Sequence, residues 1–191
     1  MIASVEGKVG AISADSLVIE VGGLGYRVFA PPSVLASAAS GGTLKLHTYH
    51  LVREDQQALF GFATTEELAF FELLMTVSQV GPRLALAITA AHPVTRLQMA
   101  IVTDDVDVYT SVSGVGRKTA QRIILELKEK VHAAGIAAGG PSSTDSDVAA
   151  ALESLGYSAN EARRAAGAVA GAGGELDIRI KAALQELARS R

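Results

Sequence analysis

The feature that most constrains this chain is a duplication. Residues 78–89 read SQVGPRLALAIT, and 35 positions later residues 113–124 read SGVGRKTAQRII. In each copy a valine and a glycine form the core of a turn: Val80 and Gly81, then Val115 and Gly116. A cation follows two positions on, Arg83 in the first copy and Lys118 in the second. Ala85 and Ile88, matched by Ala120 and Ile123, then fall at helical spacing, and the second stripe continues through Ile124, Leu127 and Val131. Each copy therefore predicts a tight turn that launches an amphipathic helix. Glycines in such a turn allow positive φ and close backbone approach. The first N–H groups of the helix have no intrahelical partner, and the helix dipole favours an anion there. One copy alone could be an ordinary helical hairpin. Two copies with a cation at the same offset argue for a pair of phosphate-sized sockets.

The pattern is similar to the helix-hairpin-helix motif. Members of that family bind nucleic-acid phosphates without reading sequence, and tandem copies grip two nearby phosphate stretches across a minor groove. One departure stands out. Gln79 occupies the position that Gly114 holds in the second copy. A non-glycine there is expected to take a less extreme backbone angle. The first socket would then approach phosphate less closely, or Gln79 would lend its side-chain amide as a donor.

Charge does not mark the chain as a bulk nucleic-acid binder. The formal net charge is −3, and each third of the chain (1–63, 64–132 and 133–191) carries one more anion than cation. Any DNA affinity must come from local clusters such as Arg117, Lys118, Arg122, Lys128 and Lys130. Cysteine is absent, which excludes disulfides and cysteine-ligated metals and suits a reducing cytosol. No signal peptide is visible at the start, and no apolar run reaches the roughly 18 residues of a membrane span. A cytoplasmic location with no membrane contact is expected. The four histidines are scattered, so no metal site is expected.

Read in order, the chain predicts an α+β multidomain protein. Residues 1–63 carry five or six short strands separated by turns at Ser13–Ser16 and Gly22-Gly23, at the spacing of a β-barrel of the oligonucleotide-binding type. Its aromatics, Tyr26, Phe29, Tyr49, Phe60 and Phe62, read as core rather than as a base-stacking platform. Glu54 and Asp55 sit at the tip between the last two strands and, on their residues alone, read as a solvated turn. Residues 64–132 read as all-helical, opened by a capping box at Thr64 and Glu67, and hold the tandem hairpins. Residues 133–146, AAGIAAGGPSSTDS, have the composition of a flexible linker with a reach of about 20 Å. Residues 147–191 predict a mobile three-helix module with a second capping box at Ser158 and Glu161. Its Leu155-Gly156-Tyr157 turn resembles that of ubiquitin-associated bundles, which bind protein partners.

Barrel, tandem hairpins, linker and three-helix tail, in that order, resemble the RuvA family of Holliday-junction-recognition subunits in bacterial branch-migration complexes. The resemblance covers the whole chain. Its most specific pieces are residues 22–28 (GGLGYRV), 52–55 (VRED) with 59–62 (LFGF), 80–88 (VGPRLALAI) and 114–120 (GVGRKTA). It implies a homotetramer, single or stacked as an octamer, that holds a four-way DNA junction open and square during recombination and repair. It implies DNA contacts at Val80, Gly81, Arg83, Gly114, Val115, Gly116 and Lys118, with Arg117 as a helper. It assigns Glu54 and Asp55 to an acidic pin at the crossover, where carboxylates near phosphate disfavour continuous duplex. That implied role reverses the bland reading of the tip.

The resemblance further implies that residues 147–191 recruit the RuvB ATPase, with the RuvC resolvase as a further partner. No GxxxxGK[ST] motif is present, so no catalytic residue, metal or cofactor is expected in this chain; ATP and Mg would belong to the motor. Two rival readings carry less. A repair enzyme that uses hairpins only for grip would need a catalytic cleft after the second hairpin, where a linker follows instead. A single-strand binder would need exposed aromatics.

Overall fold

The computed structural model describes residues 1–136, 145–170 and 174–189. Five strands form a closed barrel: β1 (Ser4–Ile12), β2 (Ser16–Val21), β3 (Leu24–Phe29), β4 (Thr43–Val52) and β5 (Gln57–Phe62), in the order β1-β2-β3-β5-β4. All pairs are antiparallel except β3 with β5, where Val28 lies opposite Leu59. A short helix, α1 (Pro32–Ser37), links β3 to β4. Inside the barrel lie Val5, Val9, Leu17, Ile19, Val28, Leu46 and Leu59.

Strand β5 joins the barrel to the helices, because its alternation serves two cores at once. Leu59 belongs to the barrel interior, whereas Ala58, Phe60 and Phe62 belong to the helical core. Gly61 faces inward with Leu59. A Cβ added there would lie 2.5 Å from Val28 Cγ1 and 3.0 Å from Leu46 Cδ1, so the packing admits only glycine. On the other face, Phe71 of α2 (Thr65–Met75) is fully buried. Its ring centroid lies 5.0 Å from that of Phe62, 5.3 Å from Tyr49 and 5.5 Å from Phe60. Burying such a side chain contributes about 1.5–3 kcal/mol. The barrel aromatics are thus committed to packing, as their sequence context indicates.

Helix α2 opens with the expected capping box, Thr64 bonding the Glu67 N–H and the Glu67 carboxylate bonding back. Next come α3 (Pro82–Ala91), α4 (Val94–Val102), α5 (Val106–Thr110) and α6 (Arg117–Ile136). Pro93 forces a bend of 99° between α3 and α4. No single helix among the described residues is long and apolar enough to cross a membrane. Buried Tyr109 donates its hydroxyl to the Leu97 carbonyl at 2.8 Å, and burial pushes its phenol pKa up.

The tail is a three-helix bundle of α7 (Asp145–Ser154), α8 (Ala159–Ala168) and α9 (Leu176–Arg189). The capping box at Ser158 and Glu161 is present. Two details differ from the sequence reading. Residues 133–136 continue α6 instead of starting a linker, consistent with the high helix propensity of alanine, and residues 145–146 already belong to α7 instead of ending it; residues 137–144 of the expected linker lie outside the described residues. The tail also shares one apolar core with the tandem hairpins. Gln98, buried in α4, donates to the Leu155 carbonyl at 2.7 Å and accepts from the Tyr157 hydroxyl at 2.6 Å. The turn read as a partner-binding feature is therefore packed against the chain's own helices.

Candidate nucleic-acid interface

The two sockets have the same backbone. In the first, α2 leads through residues 76–81 into α3; in the second, α5 leads through 111–116 into α6. Val80 N–H donates to Val77 O at 3.2 Å, and Val115 N–H donates to Val112 O at 3.0 Å. Ala85 N–H reaches Gly81 O and Ala120 N–H reaches Gly116 O, both at 2.9 Å. The side chains of Val80 and Val115 are buried. These side chains anchor the turn, and the glycines and helix starts form its outer surface. A Cβ added to Gly81 or Gly116 would meet no protein atom within 4 Å, so both turns face open space.

Gln79 corrects the sequence expectation. Its φ is +66°, in the left-handed region with Gly114 at +88°, so the first turn is not relaxed by the substitution. The oxygen of its side-chain amide is fastened within the fold. Gln79 Oε1 accepts a hydrogen bond from Arg122 Nη1 of α6. Glu126 Oε2 accepts from the Ser78 N–H at 3.1 Å, and Lys130 Nζ donates to Thr76 Oγ1. The face of α6 carrying Arg122, Glu126 and Lys130 thus braces the loop of the first hairpin. The two sockets form one unit.

These contacts narrow the basic cluster read from the sequence. Lys128 pairs with Asp104 at 2.7 Å. Arg122 and Lys130 are engaged with the first loop. Arg117 and Lys118 are exposed, and among the described residues neither side chain makes a hydrogen bond or ion pair. They stand at the N-terminus of α6, where the unpartnered N–H groups add to their charge.

The first socket differs in two ways. Pro82 stands at the first helical position, where Arg117 stands in the second, so this socket presents one N–H fewer. Its cation is also occupied. Arg83 Nη1 donates to Asp15 Oδ2 of the β1–β2 turn at 3.1 Å, and the guanidinium carbon lies 4.7 Å from the centroid of the Phe29 ring. Arg83 holds the Asp15 carboxyl below its ordinary pKa, and the Ser16 hydroxyl, donating to Asp15 Oδ1 at 3.1 Å, acts in the same direction. Sequence reasoning missed Asp15 altogether, because its partner lies 68 positions away.

Glu54 and Asp55 are exposed at the β4–β5 tip, whose base is closed by the Arg53 N–H to Gln56 O bond at 2.8 Å. Among the described residues no ion pair reaches either side chain, and the two carboxylates are exposed side by side. Among the described residues no group of His, Asp or Glu side chains is arranged to hold a metal ion.

Comparisons with known proteins agree along the chain. The family described as RuvA N terminal domain matches residues 1–61, SAM-like Helix-hairpin-helix tandem matches 71–129, and RuvA, C-terminal domain matches 145–188. A Holliday junction branch migration complex subunit RuvA from Acidothermus cellulolyticus is 47% identical over 166 residues, covering 86% of this chain and 85% of the relative. A protein of the same description from Beutenbergia cavernae is 45% identical over 168 residues (86% and 84% covered), and one from Mycobacterium avium is 42% identical over 172 residues (86% of each).

Proposed function

The chain belongs to the family of Holliday junction branch migration complex subunit RuvA, and we propose from that membership and from its geometry how it handles DNA. It is a non-catalytic subunit of the branch-migration complex, with junction DNA and the RuvB motor as partners. ATP and Mg are the motor's, and this chain works by gripping and shaping the substrate. RuvC is a further partner in this reading.

The observation that carries the reading is the pair of sockets, alike in backbone and braced together by α6. The second socket is the stronger grip. Gly114, Val115 and Gly116 shape the turn, Arg117 and Lys118 supply charge, and the first N–H groups of α6 supply directional donors. The first socket, with Val80, Gly81 and Arg83, takes a neighbouring phosphate stretch. Neither reads bases, so the grip alone would hold any duplex.

Selectivity comes from assembly. Four subunits, in one tetramer or two stacked ones, surround the crossover with their Glu54 and Asp55 tips. A carboxylate beside phosphate is repulsive, and the penalty falls on a continuous duplex through the centre more than on strands that separate there. The helices of 145–189 recruit the motor.

A competition assay with a four-way junction, a linear duplex of equal length and a single strand tests the proposal. Preferential junction binding is expected. The double substitution Glu54→Gln, Asp55→Asn is expected to strengthen duplex binding relative to junction. Equal affinity of the unaltered protein for junction and duplex would overturn the reading. An unchanged ratio in the double variant would return the tip to a simple turn.

A further inference from the structure

The structure places a carboxylate on the cation of the first socket and, among the described residues, none on that of the second. Arg83 is reached by Asp15 from the barrel at 3.1 Å, whereas Lys118 has no ion-pair partner among the described residues. We propose that Asp15 sets the strength of the first grip by competing with DNA phosphate for the Arg83 guanidinium. The inference rests on the reading that Arg83 meets phosphate.

Three observations favour competition over a merely supportive role. First, the carboxylate takes Nη1, a corner of the fork through which a guanidinium holds phosphate with two parallel bonds. A bidentate phosphate at that edge has to displace it. Second, the guanidinium is already oriented from below by the Phe29 ring, so Asp15 is not needed to aim it. Third, both side chains are open to solvent, Arg83 at 69% and Asp15 at 54%. The negative charge of Asp15 therefore lies at the surface a phosphate must approach, and the pair is weak enough to exchange. The Ser16 hydroxyl keeps the carboxylate in place by donating to its other oxygen.

The consequence is a grip of two unequal halves. The second socket accepts phosphate unopposed. The first accepts it only in exchange for an internal counter-ion, so it adds little to a passing encounter.

The test measures binding of linear duplex and of four-way junction by the full chain and four variants: Asp15→Asn, Arg83→Ala, the two combined, and Glu6→Gln. Glu6 is a barrel carboxylate 4.0 Å from Lys45 and serves as the control for net charge. Asp15→Asn is expected to tighten duplex binding by about fivefold, the factor that one unit charge near 4 Å gives in watery surroundings. Arg83→Ala is expected to weaken binding more in the Asp15→Asn background than alone. Unchanged or weaker binding by Asp15→Asn would overturn the proposal, and so would an equal gain from Glu6→Gln. Equal losses from Arg83→Ala in both backgrounds would remove Asp15 while keeping Arg83 as a ligand. No loss in either background would instead retire Arg83 as a phosphate ligand.

Discussion

Arg122 of the second hairpin's helix donates to Gln79 in the loop of the first. The bond makes up for the absence of a glycine. A glycine at position 79 would hold the left-handed turn without help. Glutamine at φ +66° holds it at some strain, with its side chain fastened to the neighbouring unit. Coupling between the sockets thus follows from the same residue that makes the first look defective in sequence.

Substitution at Gln79 separates these two effects. Gln79→Gly is expected to leave stability within about 1 kcal/mol of the unaltered protein, because relief at positive φ offsets the missing bond. Gln79→Val, which brings a β-branched side chain to the same angle and removes the bond, is expected to destabilise by about 1–3 kcal/mol. Urea unfolding of the three proteins checks the order. A Gln79→Gly variant as unstable as Gln79→Val would mean that the Arg122 bond, not the backbone, dominates.

Lys118 is the exposed cation of the unopposed socket. Lys118→Ala is expected to lower junction affinity and to reduce the slope of log K against log salt by about 0.9 for each phosphate it no longer neutralises. Titrations at several salt concentrations measure it. An unchanged slope would place Lys118 away from the DNA backbone.

Asp15 titrates below the ordinary carboxylate range because Arg83 and Ser16 favour its charged form. For a group with a depressed folded-state pKa, the contribution of the pair is present above the unfolded-state pKa and is lost as pH falls through the folded one. At neutral pH Asp15 therefore carries its full charge, and acid removes it. Carboxyl NMR shifts are expected to show the lowered pKa in the intact chain and its rise in Arg83→Ala. The same midpoint in both would contradict the Arg83 pairing in solution.

Gln98 links the tail to the hairpins through both atoms of its amide. Gln98→Ala removes the donor to the Leu155 carbonyl and the acceptor of the Tyr157 hydroxyl, and is expected to weaken docking by about 1–3 kcal/mol. Amide exchange should accelerate in α7–α9 while the barrel strands keep their protection. Uniform acceleration would show that tail and hairpins unfold together, with no separable docking step.

The legibility of this chain divides by sequence distance. Local signals were clear: both capping boxes, the duplicated turns, the helix starts and the exposed tip at Glu54 and Asp55 all depend on residues a few positions apart. The barrel's closure through the parallel β3–β5 pair was implied only by strand number. What could not be read was the pairing of polar groups across the fold. Asp15 with Arg83, Glu126 with Ser78, and Gln98 with Leu155 and Tyr157 are each separated by 48 residues or more. Arg122 and Lys130 read as part of a basic cluster open to DNA because a helical wheel shows which residues share a side, not what lies opposite. The composition of 133–146 likewise spoke for a tether and was silent on whether the tail rests against something.

Gln98 also bears on what happens to α4 when its cover is absent. Its neighbours in the shared core, Leu97, Ala100 and Ile101, are apolar, but a leucine at position 98 would take the amide partner away from the buried Leu155 carbonyl and Tyr157 hydroxyl. It would also leave a larger greasy spot whenever the tail lifted, an invitation to self-association. An amide hydrogen-bonds to protein when covered and to water when bare. The same side chain keeps this surface presentable in both conditions.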